Sequence, residues 1–141
     1  MPAVMRTQLD ALATALATIT TGNGYFNTVA HVAEGPAPLS NIPDKPAVVF
    51  YCDSRARSNF SGGRSRSFLH ILLWGFIEVQ EGDYDNMDNL EADVESLLST
   101  WTYKEWTNIV NISRSYGGTN PLIGIFEMEM LLQYNYTEGS P

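Results

Sequence analysis

The stretch from Pro46 to Ile77 does most to limit how this chain can fold. Two apolar runs, Ala47–Cys52 and Phe68–Ile77, flank a polar segment from Asp53 to Ser67. Runs of β-branched, aromatic and aliphatic residues suit a pleated, buried surface, so both flanks read as strands. In the second run neither side of the alternation is polar. Phe68, His70, Leu72, Trp74 and Phe76 share one side, and Leu69, Ile71, Leu73 and Ile77 share the other. A strand apolar on both faces is expected at the centre of a sheet, covered above and below. The segment between holds Arg55, Arg57, Arg64 and Arg66, half of the chain's eight Lys and Arg. With Gly62-Gly63 and many serines it is longer than a hairpin turn needs, which predicts a mobile basic loop over 53–67, an arm on the core strands.

The remaining periods extend this pattern. Met5, Leu9, Leu12, Ala13, Leu16 and Ile19 recur at helical spacing, predicting an amphipathic helix from Arg6 to about Thr20, ended by Gly22-Asn23-Gly24. Tyr25–Ala33 reads as a strand, broken off by Gly35-Pro36-Ala37-Pro38. Tyr84, Met87, Leu90, Val94, Leu97 and Leu98 form the stripe of a second helix ending near Thr100. Asp83 suits its N-cap, and Asp85 and Asp88 complement its dipole. Trp106–Tyr116 reads as a strand with Trp106, Val110, Ile112 and Tyr116 on one side. In Ile123–Tyr136 the alternation is clearest: Phe126, Met128, Met130, Leu132, Tyr134 and Tyr136 oppose Glu127, Glu129, Gln133 and Asn135. Unbroken, that strand would exceed about 40 Å, so a bulge or an early end is expected. Residues 137–141 are expected to form a frayed tail. The order α-β-β-β-α-β-β gives one α+β domain over 1–141, a mainly antiparallel mixed sheet flanked by two helices and carrying a long β-hairpin arm.

Charge and cysteine usage narrow the function classes. A net charge of -8 argues against nucleic-acid binding over the whole surface. From Glu78 to Glu95 there are Glu81, Asp83, Asp85, Asp88, Asp93 and Glu91 as well, without one Lys or Arg. An acidic region thus follows a basic one. This is either a pair of solvated faces or two surfaces through which copies meet head to tail, the acidic set Glu81, Asp83, Asp85, Asp88, Glu91 and Glu95 against the basic arm. Cys52 is alone, so no disulfide framework is implied. No basic segment leads into an apolar one at the start, so no secretory leader is expected, and the longest apolar run is too short to span a bilayer as a helix.

A search for chemistry yields no constellation. Ser61-Gly62-Gly63-Arg64-Ser65 lacks the Gly-Lys-Ser/Thr of a phosphate loop and precedes a strand. Asp83-x-Asp85-x-x-Asp88 has neither the glycine nor the bidentate Glu of a calcium loop. His31, His70 and Cys52 have no metal-ligand spacing, and lone histidines within strands are read as hydrogen-bonded sheet residues. Glu127 and Glu129 share a face about 7 Å apart without an identifiable basic partner. No catalytic residue, metal ligand or cofactor is therefore expected. The arginines remain as contacts for phosphate, for a partner, or for solvent alone.

An N-terminal helix, a strand, a Pro-rich connection into Pro46-Ala47-Val48-Val49-Phe50-Tyr51, a long arm, the Phe68–Ile77 core strand, the helix phrase Asp88-Asn89-Leu90-Glu91-Ala92-Asp93-Val94-Glu95 and the closing Gly124-Ile125-Phe126-Glu127-Met128-Glu129-Met130 follow in turn. This order, over roughly residues 5 to 136, resembles the tail terminator (tail completion) proteins of long-tailed bacteriophages and the allied neck and head–tail joining proteins. The resemblance implies a non-enzymatic virion protein at the tail–neck junction, assembled in the host cytoplasm. It implies a ring of identical subunits, usually a hexamer, that caps the tail tube, stops its polymerisation and meets the head connector. It also implies an arm ordered in the ring, placed here at Arg55 to Arg66 by position. Those arginines would meet a neighbouring subunit, the tube, or DNA in the lumen; no membrane is involved. A head-side neck component is one alternative. Another is a small ligand-binding or enzymatic domain using the Arg segment for a phosphorylated molecule.

Overall fold

The computed structural model describes residues 4–35, 42, 44–60, 62–80, 82–118 and 121–137. Helix α1 (Val4–Leu16) is followed by strands β1 (His31–Glu34), β2 (Ala47–Phe60) and β3 (Arg64–Val79). Helix α2 (Asp85–Thr100) and strands β4 (Thr107–Gly117) and β5 (Leu122–Thr137) complete the order. The strands form one sheet, β1-β2-β3-β5-β4, in which β1 runs parallel to β2 and every other pair is antiparallel. The α+β class and the element order are those expected from the sequence.

Both helices lie on one sheet face. Leu9, Leu12 and Leu16 of α1 and Met87, Leu90, Val94 and Leu97 of α2 pack onto it. Val48 and Phe50, then Leu69, Ile71 and Leu73, then Phe126, Met128, Met130 and Leu132 meet them from β2, β3 and β5. Full burial of such side chains contributes about 1.5–3 kcal/mol each before ordering entropy is subtracted, so this layer is the main stabilising unit. Outside it, Arg6 of α1 forks onto Glu34 of β1 at 2.5 and 2.8 Å.

The opposite face departs from expectation. Only a small cluster, Ile42, Ala47, Val49, Phe76 and Ile123, is buried there. Phe68, His70, Leu72 and Trp74 are half-buried, so β3 is central but is not covered on both sides by the described residues.

Three boundaries also differ, each for a local reason. Helix α1 stops at Leu16, where Thr18 N–H turns to Ala15 O (2.9 Å) and its hydroxyl takes the same carbonyl (2.6 Å). Threonine here offers the backbone an alternative to the helical ladder. The strand expected over Tyr25–Ala33 shrinks to His31–Glu34 because the N–H groups of Phe26 and Asn27 donate to the buried Asp93 carboxylate of α2, both at 2.9 Å. By contrast β5 runs unbroken, in continuous register with β3 from Arg64 opposite Thr137 to Val79 opposite Leu122. The irregularities fall in other strands, at Cys52/Ser54 of β2 and Ile109/Asn111 of β4. The second turns Val110 outward, 52% exposed, and splits the side expected for β4.

Gly75 of β3 lies opposite Phe126 of β5. A Cβ there would stand 2.1 Å from Cε1 of the buried Phe126 ring, whereas at Gly124 the closest atom is the flexible end of Met87, at 2.4 Å. Gly75→Ala is expected to destabilise the fold by about 1–3 kcal/mol, the ordinary cost of overpacking a core, and Gly124→Ala by clearly less. Urea unfolding of the two variants measures the difference.

Candidate functional site

The basic segment is strand rather than loop. Asp53–Phe60 continues β2 and Arg64–Ser67 opens β3, with Ser54 to Phe60 paired residue by residue against His70 to Arg64. Gly62 and Gly63, at φ 78° and 72°, carry the chain round the tip in the left-handed region open to glycine. On the other side of β3, Gln133–Thr137 of β5 pairs with Arg64–Phe68. The arm is thus a three-stranded ribbon. It shows no hydrophobic period in β2 because Asp53 to Asn59 is solvent-exposed throughout.

The two-residue period of strands divides the arginines between the ribbon's faces. Arg55 and Arg57 share the helix-side face with Leu69 and Ser67, their register partners. Arg64 and Arg66 point to the other. Arg55 lies over the Tyr136 ring, 5.7 Å from its centre, a cation–π contact. Arg57 reaches Asn59 Oδ1 and Ser65 Oγ, each at 3.4 Å, and Arg66 Nε donates to Asn135 Oδ1 at 3.3 Å. Ser65 and Ser67 are fully buried beneath this layer, where Tyr134 and Tyr136 are also buried. Small residues on β3 facing tyrosines on β5 extend the buried layer under the helices into the ribbon.

The acidic set is divided as well. Glu91 is nearly buried and, with Asp88 at 2.7 Å, takes the Arg114 guanidinium of β4, so Glu91 is an internal tie between helix and sheet and not part of an outward counter-face. Asp93, equally buried, holds the connection before β1. Asp83, whose Oδ1 accepts from Asp85 N–H at 3.2 Å, remains exposed with Asp85 and Glu95. Glu81 lies outside the described residues, as do 138–141 of the expected tail.

The face without helices carries a cluster that the spacing of histidines and carboxylates along the chain did not reveal. The bulge at Cys52/Ser54 turns Asp53 onto His70 Nδ1, while His70 Nε2 stands 2.7 Å from Glu129 Oε1. Glu129 therefore does have a basic partner. Glu127 accepts from Trp74 Nε1 at 3.2 Å, and Trp74 stacks on Tyr51 with ring centres 5.2 Å apart. The register that places His70 beside Glu129 depends on pairing across 59 residues. Only the shared polar face of Glu127 and Glu129 pointed towards it.

Among the described residues no group of three His, Cys, Asp or Glu side chains is arranged to hold a metal ion, and no helix is long and apolar enough to cross a membrane. No protein-family model and no curated protein matches the chain.

An ionised carboxylate only accepts hydrogen bonds, so His70 satisfies both neighbours as the imidazolium. The bond to Asp53 first, then that to Glu129, raises its pKa above the ordinary value of 6.5. A folded-state pKa above the unfolded one stabilises the fold below the unfolded pKa, and that contribution disappears as pH rises through the raised value. His70→Gln is therefore expected to lower the melting temperature most at mildly acid pH, with the gap to the parent narrowing towards alkaline pH. A gap independent of pH would show that His70 contributes by packing alone.

Proposed function

We propose that this chain is a structural subunit of a phage virion, a tail terminator that joins copies of itself into a closed ring at the tail–neck junction. The ring, hexameric in the family that the sequence resembles, caps the tail tube, ends its polymerisation and offers its other surface to the head connector. The role is assembly and involves no catalysis.

The observation that carries this reading is a fold that the described residues finish on one side only. Two helices complete one sheet face. The other keeps Tyr51, Phe68, Leu72 and Trp74 half-exposed, and a ribbon with four arginines prolongs β2, β3 and β5 at one end of the sheet. A side-chain layer built into the ribbon itself fits an arm that must hold its shape to engage a neighbour. The arm's arginines are opposite in sign to the net charge of -8 of the copy they engage, a charge that otherwise keeps copies apart. Complementary patches of this kind set orientation and encounter more than raw affinity.

Native mass spectrometry across a concentration series, with negative-stain images alone and with tail tubes, tests the reading. Closed rings are expected, weakened by added salt because exposed charges are screened. The set Arg55→Glu, Arg57→Glu, Arg64→Glu and Arg66→Glu is expected to abolish ring formation and tail attachment while leaving the circular dichroism spectrum unchanged. A reversed chain that still forms rings and still caps tails overturns the arm's role. Retention of the protein on DNA-filled heads instead of isolated tails favours a head-side neck component.

A further inference from the structure

Both edges of the ribbon lack a strand neighbour among the described residues. β1 lines β2 only from Ala47 to Phe50, and β2 runs on to Phe60. β4 begins at Thr107, opposite Leu132, so β5 from Gln133 to Thr137 has only β3 beside it. The two edges are guarded differently. That of β2 carries a bulge and the charges of Arg55 and Arg57, devices that discourage indiscriminate pairing. That of β5 reads Gln133-Tyr134-Asn135-Tyr136-Thr137, with no charge, no proline and no bulge. Beside it lies a groove of about 280 Å³ lined by Val4, Gln8, Tyr103, Trp106 and Tyr134. Trp106 is 46% exposed there, and the buried Gln8 Oε1 has no hydrogen-bond partner.

We infer that the Gln133–Thr137 edge of one copy receives the Ser54–Phe60 edge of the next as an added strand, so that successive arms form one continuous sheet. This rests on the ring reading above and assigns its seam. The occupant follows from direction and register. β2 and β5 are both antiparallel to β3, so they run parallel to each other. Copies related by rotation about an axis along the arms keep all arms pointing one way, and β5 then meets the next β2 in parallel. A closed ring has no rise per copy, so residues level within one chain stay level across the seam. Ser58 comes beside Asn135, both being opposite Arg66, and Ala56 beside Gln133, both opposite Phe68. Tilt of the arms shifts this register by even steps, since an odd step would exchange the faces.

The side chains agree with that placement. Arg57 lies on the helix-side face and arrives level with Tyr134, at the groove holding Tyr103 and Trp106, where a guanidinium stacks on aromatic rings. The two-fold alternatives do worse. β5 against β5 leaves the β2 edges open, and β2 against β2 brings Arg55 and Arg57 towards their own copies.

Paired cysteines on a Cys52→Ser background test the seam. Ser58→Cys with Asn135→Cys is one pair, and Ala56→Cys with Gln133→Cys is the other, which spares the Arg66–Asn135 hydrogen bond. Within one chain each pair is separated by two strand spacings, about 10 Å. Cα atoms more than about 7 Å apart cannot be bridged, so any disulfide joins two chains. Mild oxidation of folded protein under ring-forming conditions is expected to give a ladder of covalent oligomers on a denaturing gel, while each single-cysteine variant stays monomeric. Covalent dimers from Asn135→Cys or Gln133→Cys alone, without a ladder from the pairs, overturn the seam in favour of a two-fold contact. Rings in negative stain with no ladder overturn the seam and leave the ring reading standing. A ladder in open filaments keeps the seam and removes the ring. Neither rings nor ladder removes both.

Discussion

The pairing of β3 on both of its edges is the constraint from which the rest of the structure follows. Along its whole length β5 holds one side, and β2 holds the other from Arg64 to Phe76. A strand so fixed cannot turn away a side chain that has no place, so each residue must suit the layer above or below it. Under the helices these residues are Leu69, Ile71 and Leu73. Gly75 follows, where the Phe126 ring crosses the strand and leaves no room for a Cβ. Towards the arm's tip they are Ser65 and Ser67, small enough to lie beneath Tyr134, Tyr136 and Arg55. One strand thus carries a single core whose aliphatic part stabilises the domain and whose aromatic and polar end stiffens the arm.

Buried carboxylates link this sheet to what surrounds it. Asp93 accepts three hydrogen bonds from Phe26 and Asn27, and Glu91 meets Arg114. A buried carboxylate without such partners would cost several kcal/mol, so each ties α2 to one place on its neighbours. Asp93 shapes the connection into β1, and Glu91 sets α2 on β4. Both come from a stretch that, read linearly, is a run of negative charge for a partner. The structure turns two of its members inward and leaves Asp83, Asp85 and Glu95 outside.

The sequence made the fold legible wherever a period met a single environment. β5 alternates from Phe126 onward because there it has one packed and one open face, and α2 shows its stripe for the same reason. The β2 part of the arm was obscure because it is exposed on both faces, so hydrophobicity carries no period there, although Arg55 and Arg57, like Arg64 and Arg66, already alternate. The bulges were invisible since nothing local marks the extra residue at Asp53 or Val110. His70, Asp53 and Glu129 form a site only through that bulge and a pairing distant in sequence, which no local pattern encodes. The arginines were legible as a group, but their division between two faces depends on a register that the chain order leaves open.

An assembly built from such a subunit has two kinds of surface to offer, and they suit different partners. A strand edge recognises mainly backbone, so it fits another copy whose strand has the right direction and length; side chains there serve to exclude wrong pairings. The open sheet face recognises shape and chemistry through Trp74, Tyr51, Leu72 and the carboxylates around His70, so it fits a partner of different sequence. Edge pairing consumes hydrogen-bonding groups at right angles to that face and leaves the face uncovered. In the proposed ring, copies are therefore joined edge to edge while the aromatic face of each remains available. In that proposal, ring closure and attachment to a second component do not compete for the same atoms.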